Sequence, residues 1–129
     1  MTRIRRYRSA DAGALAEIFF RAVHEGARTK YTEEERQAWA PTRPSPEDWA
    51  RRLDGLITFV AFESGSLVGF MSLRSDGYLD LAFVLPEWMG KGVADALLRC
   101  LESEARRCGI GLLTTEASHL ARSFFLRHG

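Results

Sequence analysis

The sequence contains only two cysteines and no long apolar run, and both shortages exclude kinds of protein. Cys100 and Cys108 fall in one predicted helix, about 12 Å apart along its axis, which is too far for a disulfide. Two free thiols are typical of a reducing compartment. No stretch approaches the roughly 20 apolar residues of a membrane span, and no apolar signal-peptide region follows the first arginines. We therefore expect a cytoplasmic protein without a membrane partner.

Charge of one sign is not concentrated anywhere in the chain. The 18 Lys and Arg residues almost balance the 17 Asp and Glu residues, which leaves a formal net charge of +1, and the arginines are scattered. A nucleic-acid-binding protein gathers its basic residues in a patch. No cluster of Cys, His and Asp has the spacing of metal ligands, and the sequence has no nucleophile elbow or Walker loop. We therefore expect no nucleic-acid partner and no metal.

The first part of the chain is predicted to be mainly helical. A weak alternation over residues 2–8 predicts a strand at or near a sheet edge. Apolar residues at i, i+3, i+4, i+7 and i+8 then predict a helix: Leu15, Ile18, Phe19, Ala22 and Val23. Ser9 or Asp11 can cap this helix. Two short helices are predicted to follow, with Thr32 and Ser45 as their caps.

After Gly55 the pattern becomes typical of β-strands. Three strands separated by short turns are predicted at residues 56–63, 67–74 and 78–84. An apolar stripe predicts a helix at residues 92–107, and a short strand and a last helix complete the chain. The order of elements predicts one α/β (α+β) domain, residues 1–129, with a mixed, mostly antiparallel central sheet flanked by helices.

The stretch "VLPEWMGKGVADALL" places two glycines and a lysine where a strand gives way to a helix. A helix N-terminus carries unpaired backbone N–H groups and a partial positive charge, so it attracts phosphates. Gly90 and Gly92 leave the approach open, and Lys91 adds a charge. The simpler interpretation is a tight turn that needs glycine for its backbone alone.

Two segments carry a resemblance to a known family: "FVLPEWMGKGVADALL" and, one helix and one strand later, "EASHLARSFFLRHG". Together with the order of elements, they resemble the GNAT N-acetyltransferase superfamily over essentially the whole chain. The segment "YTEEERQAWA" is similar to a branch of small bacterial members. The family motif has Gln or Arg, two residues, Gly, one residue, and Gly or Ala. Gly92 and Ala94 match this motif, whereas Met89 stands where Gln or Arg is usual.

The resemblance implies that acetyl-coenzyme A is the co-substrate. Backbone N–H groups from Met89 to Ala94, a stretch that includes Gly90, Lys91, Gly92 and Val93, would then cradle its pyrophosphate. The strand end at Ala82, Phe83 and Val84 would pair with the pantetheine arm through main-chain hydrogen bonds. Met89 is expected to weaken binding without abolishing it, unless it simply packs against Trp88 or the helix.

The same resemblance implies direct transfer of the acetyl group to an amine. Asp80 is the first candidate for the general base, and Glu116 is the second. Asp80 could equally face solvent or pair with an arginine. Phe125 occupies the position of the family's usual tyrosine acid and cannot donate a proton, so packing on the pantetheine is its alternative role. Ser118, Ser123 and Tyr78 are candidate substitutes for that acid.

The resemblance leaves two functions open: an acetyltransferase, and a coenzyme A-binding sensor or interaction module without catalysis. Acidic and aromatic residues between the first helices are candidates for the acceptor pocket, or for helix starts and core packing: Tyr31, Glu33, Glu34, Glu35, Trp39 and Trp49. The family normally continues with two more strands after the last helix. We therefore expect an exposed strand edge at residues 110–117 and either a homodimer or reduced stability.

Overall fold

The computed structural model describes residues 2–26 and 44–110 as one antiparallel sheet with helices on both faces. The sheet order is β1-β2-β3-β4: β1 (Arg3–Arg6), β2 (Ile57–Glu63), β3 (Ser66–Leu73) and β4 (Leu79–Val84). The helices are α1 (Ala12–Arg21), α2 (Pro46–Leu53) and α3 (Val93–Arg107). Short turns of 3-10 helix (Ser9–Asp11, Pro86–Trp88) and π-helix (Ala22–Gly26) join them. In the described part of the chain, no helix is long and apolar enough to cross a membrane.

The sequence-based predictions for these elements are confirmed with small shifts in their bounds. The predicted strand at residues 2–8 is β1, at one edge of the sheet, and the three later strands are found within about two residues. Gly109, with a positive φ, follows the end of α3. The predicted helix at Thr32, the strand at residues 110–117 and the last helix lie outside the described residues, apart from the first residue of that strand.

Two apolar cores form because neighbouring residues of a strand point to opposite faces of the sheet. Phe70 packs with α1 and α2, and the next residue, Met71, packs against α3. The core beneath α3 includes Val68, Leu79, Val93, Leu97, Leu98 and Leu101. The core beneath α1 and α2 includes Leu15, Ile18, Trp49, Leu53, Val60 and Leu81.

Helices α1 and α2 pack on the same core, but only α2 begins with a side-chain cap. The hydroxyl of Ser45 accepts a hydrogen bond from the N–H of Asp48 over 3.0 Å, so the predicted cap of α2 is confirmed. The predicted cap of α1 is wrong, since neither Ser9 nor Asp11 makes a side-chain cap there. The Asp11 carboxylate instead accepts hydrogen bonds from both terminal nitrogens of Arg5, at 2.7 and 2.8 Å.

A β-bulge interrupts β4 at Asp80. Leu73 pairs with Leu79, while Ser72 pairs with Leu81, so Asp80 has no partner on β3. Leu79 and Leu81 consequently enter opposite cores, although residues two apart normally share a face. The bulge thus changes which residues of β4 point to which face of the sheet, just before residues 82–84 at the end of the strand.

Candidate functional site

The connection from β4 to α3 has two residues in the left-handed backbone region. Gly90 has φ +76° and Gly92 has φ +86°, values that side chains of L residues rarely permit. Gly92 is the residue immediately before α3, and within the described part of the chain no side-chain cap hydrogen bond is made at this position. The two glycines therefore make the turn that the simpler interpretation proposed, and they also leave the helix start uncapped.

The same two positions are open to an approaching ligand. A Cβ atom built on Gly90 or on Gly92 meets no atom of residues 2–26 or 44–110 within 4 Å. The first N–H groups of a helix have no partner within the helix, so the start of α3 presents donors and a partial positive charge to this space. Such an arrangement favours an anion, and phosphate above all.

A pocket of about 300 Å³ lies between β4 and this helix start. Eight of the predicted coenzyme-binding residues line it: Ala82, Phe83, Val84, Met89, Gly90, Gly92, Val93 and Ala94. Ala22, Met71, Trp88 and Asp95 are the other described residues that line it, and Lys91 is not among them. The structure thus brings the two parts of the predicted site together around one cavity.

The edge of β4 that faces away from β3 offers main-chain hydrogen-bonding groups to this pocket. The N–H of Leu85 donates to the carbonyl of Val68 over 2.8 Å, so Leu85 faces β3. Because backbone groups alternate along an antiparallel ladder, those of Ala82 and Val84 point away from β3. Among residues 2–26 and 44–110, no strand pairs with that outer edge. An extended ligand could add to β4 there as a further strand does.

Met89 is partly exposed beside the pocket. Its exposed fraction is 42%, which does not fit the alternative in which it fills a gap against Trp88 or the helix. Trp49, in contrast, is buried and packs on the rings of Phe19 and Phe70. Trp49 therefore serves the core.

Asp80 forms an ion pair. Nη1 of Arg52, on α2, lies 2.7 Å from Oδ2 of Asp80, and the Asp80 side chain is 18% exposed. Asp80 does not line the pocket, but it precedes Ala82 by two residues, which is about 7 Å along a strand. Of the two simpler interpretations of Asp80, pairing with an arginine is the one that the structure realises. Its role as a base stays a prediction.

A second ion-pair cluster, which sequence reasoning missed, joins α1 to the turn before the glycines. Arg21 donates to both carboxylate oxygens of Glu87, at 2.8 and 3.1 Å, and also to Glu25. The Arg21 guanidinium holds the pKa of Glu87 below its usual value. Arg21 precedes Ala22 of the pocket, and Glu87 precedes Trp88, so the cluster ties together two sides of the cavity. The two residues are 66 positions apart, and no sequence pattern signals such a pair.

The remaining candidates lie outside the described residues. These are Glu116, Ser118 and Phe125, together with residues 31–40 of the acceptor region, so their positions relative to the pocket stay predictions. Among the described residues, no group of three or more His, Cys, Asp or Glu side chains comes together in a way that could hold a metal ion.

Comparison with known proteins identifies the family. The family model of the acetyltransferase (GNAT) domain matches residues 27–129. The chain is 39% identical over 127 residues to the uncharacterized N-acetyltransferase YafP of Escherichia coli (strain K12), covering 98% of this chain and 79% of that protein. The chain belongs to the GNAT acetyltransferase family. The resemblance noted in the sequence is therefore confirmed, and with it the class of enzyme, an acyltransferase.

Solved structures of the family agree with the fold described above. A GCN5-related N-acetyltransferase from Rhodopseudomonas palustris aligns with a TM-score of 0.89 and 33% identity, over 100% of this chain and 81% of that one. The acetyltransferase yncA from Salmonella typhimurium, solved with acetyl-CoA, aligns with a TM-score of 0.66 and 26% identity, over 89% and 69% of the two chains. The predicted fold, a mostly antiparallel sheet flanked by helices, is confirmed.

Proposed function

We propose that this GNAT protein transfers an acetyl group from acetyl-CoA to a primary amine of a small molecule or a protein. The observation that carries the proposal is the pocket between the outer edge of β4 and the glycine-rich start of α3. One end of this pocket suits an extended amide-containing chain, and the other suits phosphate. Acetyl-CoA contains both, and a relative of the same fold was solved with it.

The binding residues divide between the two ends of the co-substrate. The N–H groups from Gly90 to Ala94 receive the pyrophosphate, and Lys91 adds long-range attraction for its charge. The outward-facing groups of Ala82 and Val84 pair with the amides of the pantetheine arm. An N–H near this end of β4 polarises the acetyl carbonyl as negative charge develops on its oxygen.

The chemistry needs few catalytic groups. An alkylamine with a pKa of about 10.4 is mostly protonated at pH 7, so a base that takes its proton raises the reactive fraction. Asp80 is our candidate for that base, directly or through a water, and Glu116 is the second candidate. The neutral nitrogen then bonds to the acetyl carbon, the carbon–sulfur bond breaks, and the nitrogen loses its extra proton to the departing thiolate or to water, which leaves the amide and coenzyme A. Because a thiol pKa is about 8.5, the thiolate is stable enough to leave without an acid that protonates it. A phenylalanine at position 125, in place of the family's tyrosine, is consistent with such a mechanism. Ser118 is a candidate to contact the sulfur.

The alternative function is a coenzyme A-binding sensor or interaction module. The Arg52–Asp80 ion pair favours it, since an arginine that occupies the carboxylate competes with a substrate amine. The two functions differ in turnover and not in binding.

A turnover assay separates the two proposals. The protein is incubated with acetyl-CoA and a panel of alkyl diamines, amino sugars and lysine-containing peptides, and acetylated product is detected by mass spectrometry. Product that grows with enzyme concentration supports the transferase. If acetyl-CoA binds but no amine in a broad panel is acetylated, the sensor becomes the better account. Omission of the amine is the control, because Cys100 and Cys108 carry thiols that could be acetylated themselves.

Other features of the expected protein remain proposals. They are a single domain over residues 1–129, a cytoplasmic location, a homodimer and the absence of a metal requirement. Light scattering tests the homodimer, and a clean monomer would reject it. Turnover that survives a chelator would support the metal-free mechanism.

A further inference from the structure

Gly69, in the middle of β3, lies where three parts of the site meet. A Cβ atom built on this residue would stand 3.1 Å from the carbonyl oxygen of Phe83, 3.2 Å from Cγ2 of Val84 and 3.2 Å from Cγ1 of Val93. Favourable carbon–carbon contacts are about 3.5–4.0 Å and carbon–oxygen contacts about 3.3–3.6 Å, so each of the three distances is short for its pair of atoms. Two of these atoms belong to β4 and the third to the first residue of α3.

The backbone of Gly69 does not itself require glycine. Gly90 and Gly92 have positive φ angles, whereas Gly69 does not, although a β-bulge at the neighbouring Val68 interrupts its pairing with β2. On the other side Gly69 pairs with Val84 of β4. The reason for glycine here is therefore space. Without a side chain at this position, the first turn of α3 can approach β3 and β4 closely.

This close approach fixes a distance that matters for the proposed ligand. The edge of β4 at Ala82 and Val84 and the start of α3 form the two ends of the pocket. A ligand that binds both ends needs them at one separation, and rigid placement of its two halves supplies much of its affinity. A ligand that binds only one end is insensitive to that separation.

We propose that Gly69 is a positioning residue that sets the spacing between the β4 edge and the α3 N-terminus, and so adapts the pocket to a complete coenzyme A. The inference rests on the proposed function, because it concerns the ligand of the same site. Gly69 touches none of the ligand; it acts through Val84 and Val93. Bulk at this position moves α3 outward and separates the two halves of the pocket.

The test compares a complete ligand with its parts in the variant Gly69→Ala. Acetyl-CoA affinity is measured by calorimetry, and the affinities of S-acetylpantetheine and adenosine 3′,5′-bisphosphate are measured by NMR titration. We expect acetyl-CoA binding to weaken roughly tenfold, in line with the usual cost of overpacking, and both fragments to change less than about twofold. Gly13→Ala is the matched control, because a Cβ atom there meets Pro46 at an ordinary 3.5 Å.

A compensating change separates spacing from general damage. In the background of Gly69→Ala, Val93→Ala removes one of the three crowded atoms, and it should restore part of the acetyl-CoA affinity. If Gly69→Ala does not fold, Val93→Ile crowds the same gap from the helix while Gly69 is retained. We expect Val93→Ile to weaken acetyl-CoA binding as much as Gly69→Ala does, with little change in the affinities of the two fragments.

Each outcome has a distinct meaning. Unchanged acetyl-CoA affinity in a folded Gly69→Ala, or in Val93→Ile, overturns the inference and leaves the proposed function intact. Equal losses for acetyl-CoA and both fragments also overturn it, since they indicate general disruption. No acetyl-CoA binding by the unaltered protein overturns the proposed function itself, and the inference with it.

Discussion

Arg52 and Asp80 join α2 to the bulge of β4 through a contact of 2.7 Å. The bulge leaves Asp80 without a partner on β3, and Arg52 identifies the side to which its carboxylate turns. Helices α1 and α2 and the core beneath them lie on that face of the sheet. The carboxylate proposed as the base is therefore on the face of the sheet opposite α3, while the helix start proposed for phosphate belongs to α3.

The first prediction concerns this carboxylate. Asp80→Asn keeps the size of the side chain but cannot accept a proton, so we expect kcat to fall about 10²-fold or more, as for other general bases. The dissociation constant of acetyl-CoA should change little, because Asp80 does not line the pocket. Steady-state kinetics and calorimetry measure the two quantities.

Asp48→Asn is the matched control for Asp80→Asn. Asp48 also pairs with an arginine of α2, Arg51, but both side chains are well exposed. We expect this variant to retain full turnover. An Asp80→Asn enzyme as active as the Asp48→Asn enzyme would remove Asp80 from the mechanism and leave Glu116 as the candidate.

The second prediction concerns Met89, which stands where the family usually has Gln or Arg. Its side chain lines the pocket and is 42% exposed, so a polar group in its place could reach the ligand. We expect Met89→Gln to tighten acetyl-CoA binding several-fold, by the worth of about one hydrogen bond. Met89→Leu should leave the affinity unchanged. Equal affinities for the Gln and Leu variants would show that position 89 contributes no side-chain contact.

The third prediction is a dependence of stability on pH through Asp11. The hydrogen bonds from Arg5 hold the pKa of Asp11 below its usual value. A carboxylate with a lowered pKa in the folded protein stabilises it above its unfolded pKa of about 3.9, and that stabilisation disappears as the pH falls through the folded pKa. We expect Asp11→Asn to cost about 1–3 kcal/mol of unfolding free energy at pH 7.

Denaturant unfolding of the parent and of Asp11→Asn, followed from pH 7 to pH 2.5, measures this effect. The difference between the two proteins should be constant down to about pH 4 and should narrow below it. A difference that stays the same at the lowest pH would mean that the loss comes from packing and not from the charge of Asp11.

Much of the fold could be predicted because its signals are local. Ser45 and Pro46 indicate the start of α2. Turn residues separate three strands in which apolar and polar residues alternate. The turn with Gly90 and Gly92 was recognisable for the same reason, since glycine is the residue that tolerates their backbone angles.

The features that escaped prediction depend on contacts between distant residues. The Arg21–Glu87 pair, and the identity of Arg52 as the arginine that pairs with Asp80, depend on elements that only the tertiary fold brings together. The bulge at Asp80 cannot be recognised from the sequence "YLDLAFV", in which apolar and polar residues alternate as in a regular strand. The sequence does not show why residue 69 is glycine, because the side chains of Val84 and Val93 approach it only in the folded protein. Asp11 has the residue type and position of a helix cap, but its carboxylate pairs with Arg5 of β1, a contact that the local sequence pattern does not indicate.

Calorimetry with two variants of Ala94 tests whether acetyl-CoA binds at the start of α3. Ala94 lines the pocket in the first turn of α3, so a side chain there adds bulk without the backbone strain of a change at Gly92. Ala94→Glu and Ala94→Gln add nearly the same bulk, but only Glu adds negative charge beside the expected pyrophosphate. We predict that the parent binds acetyl-CoA, that the Gln variant binds it more weakly and that the folded Glu variant does not bind it measurably. Equal affinities for the Glu and Gln variants, or no binding by the parent, would contradict this account.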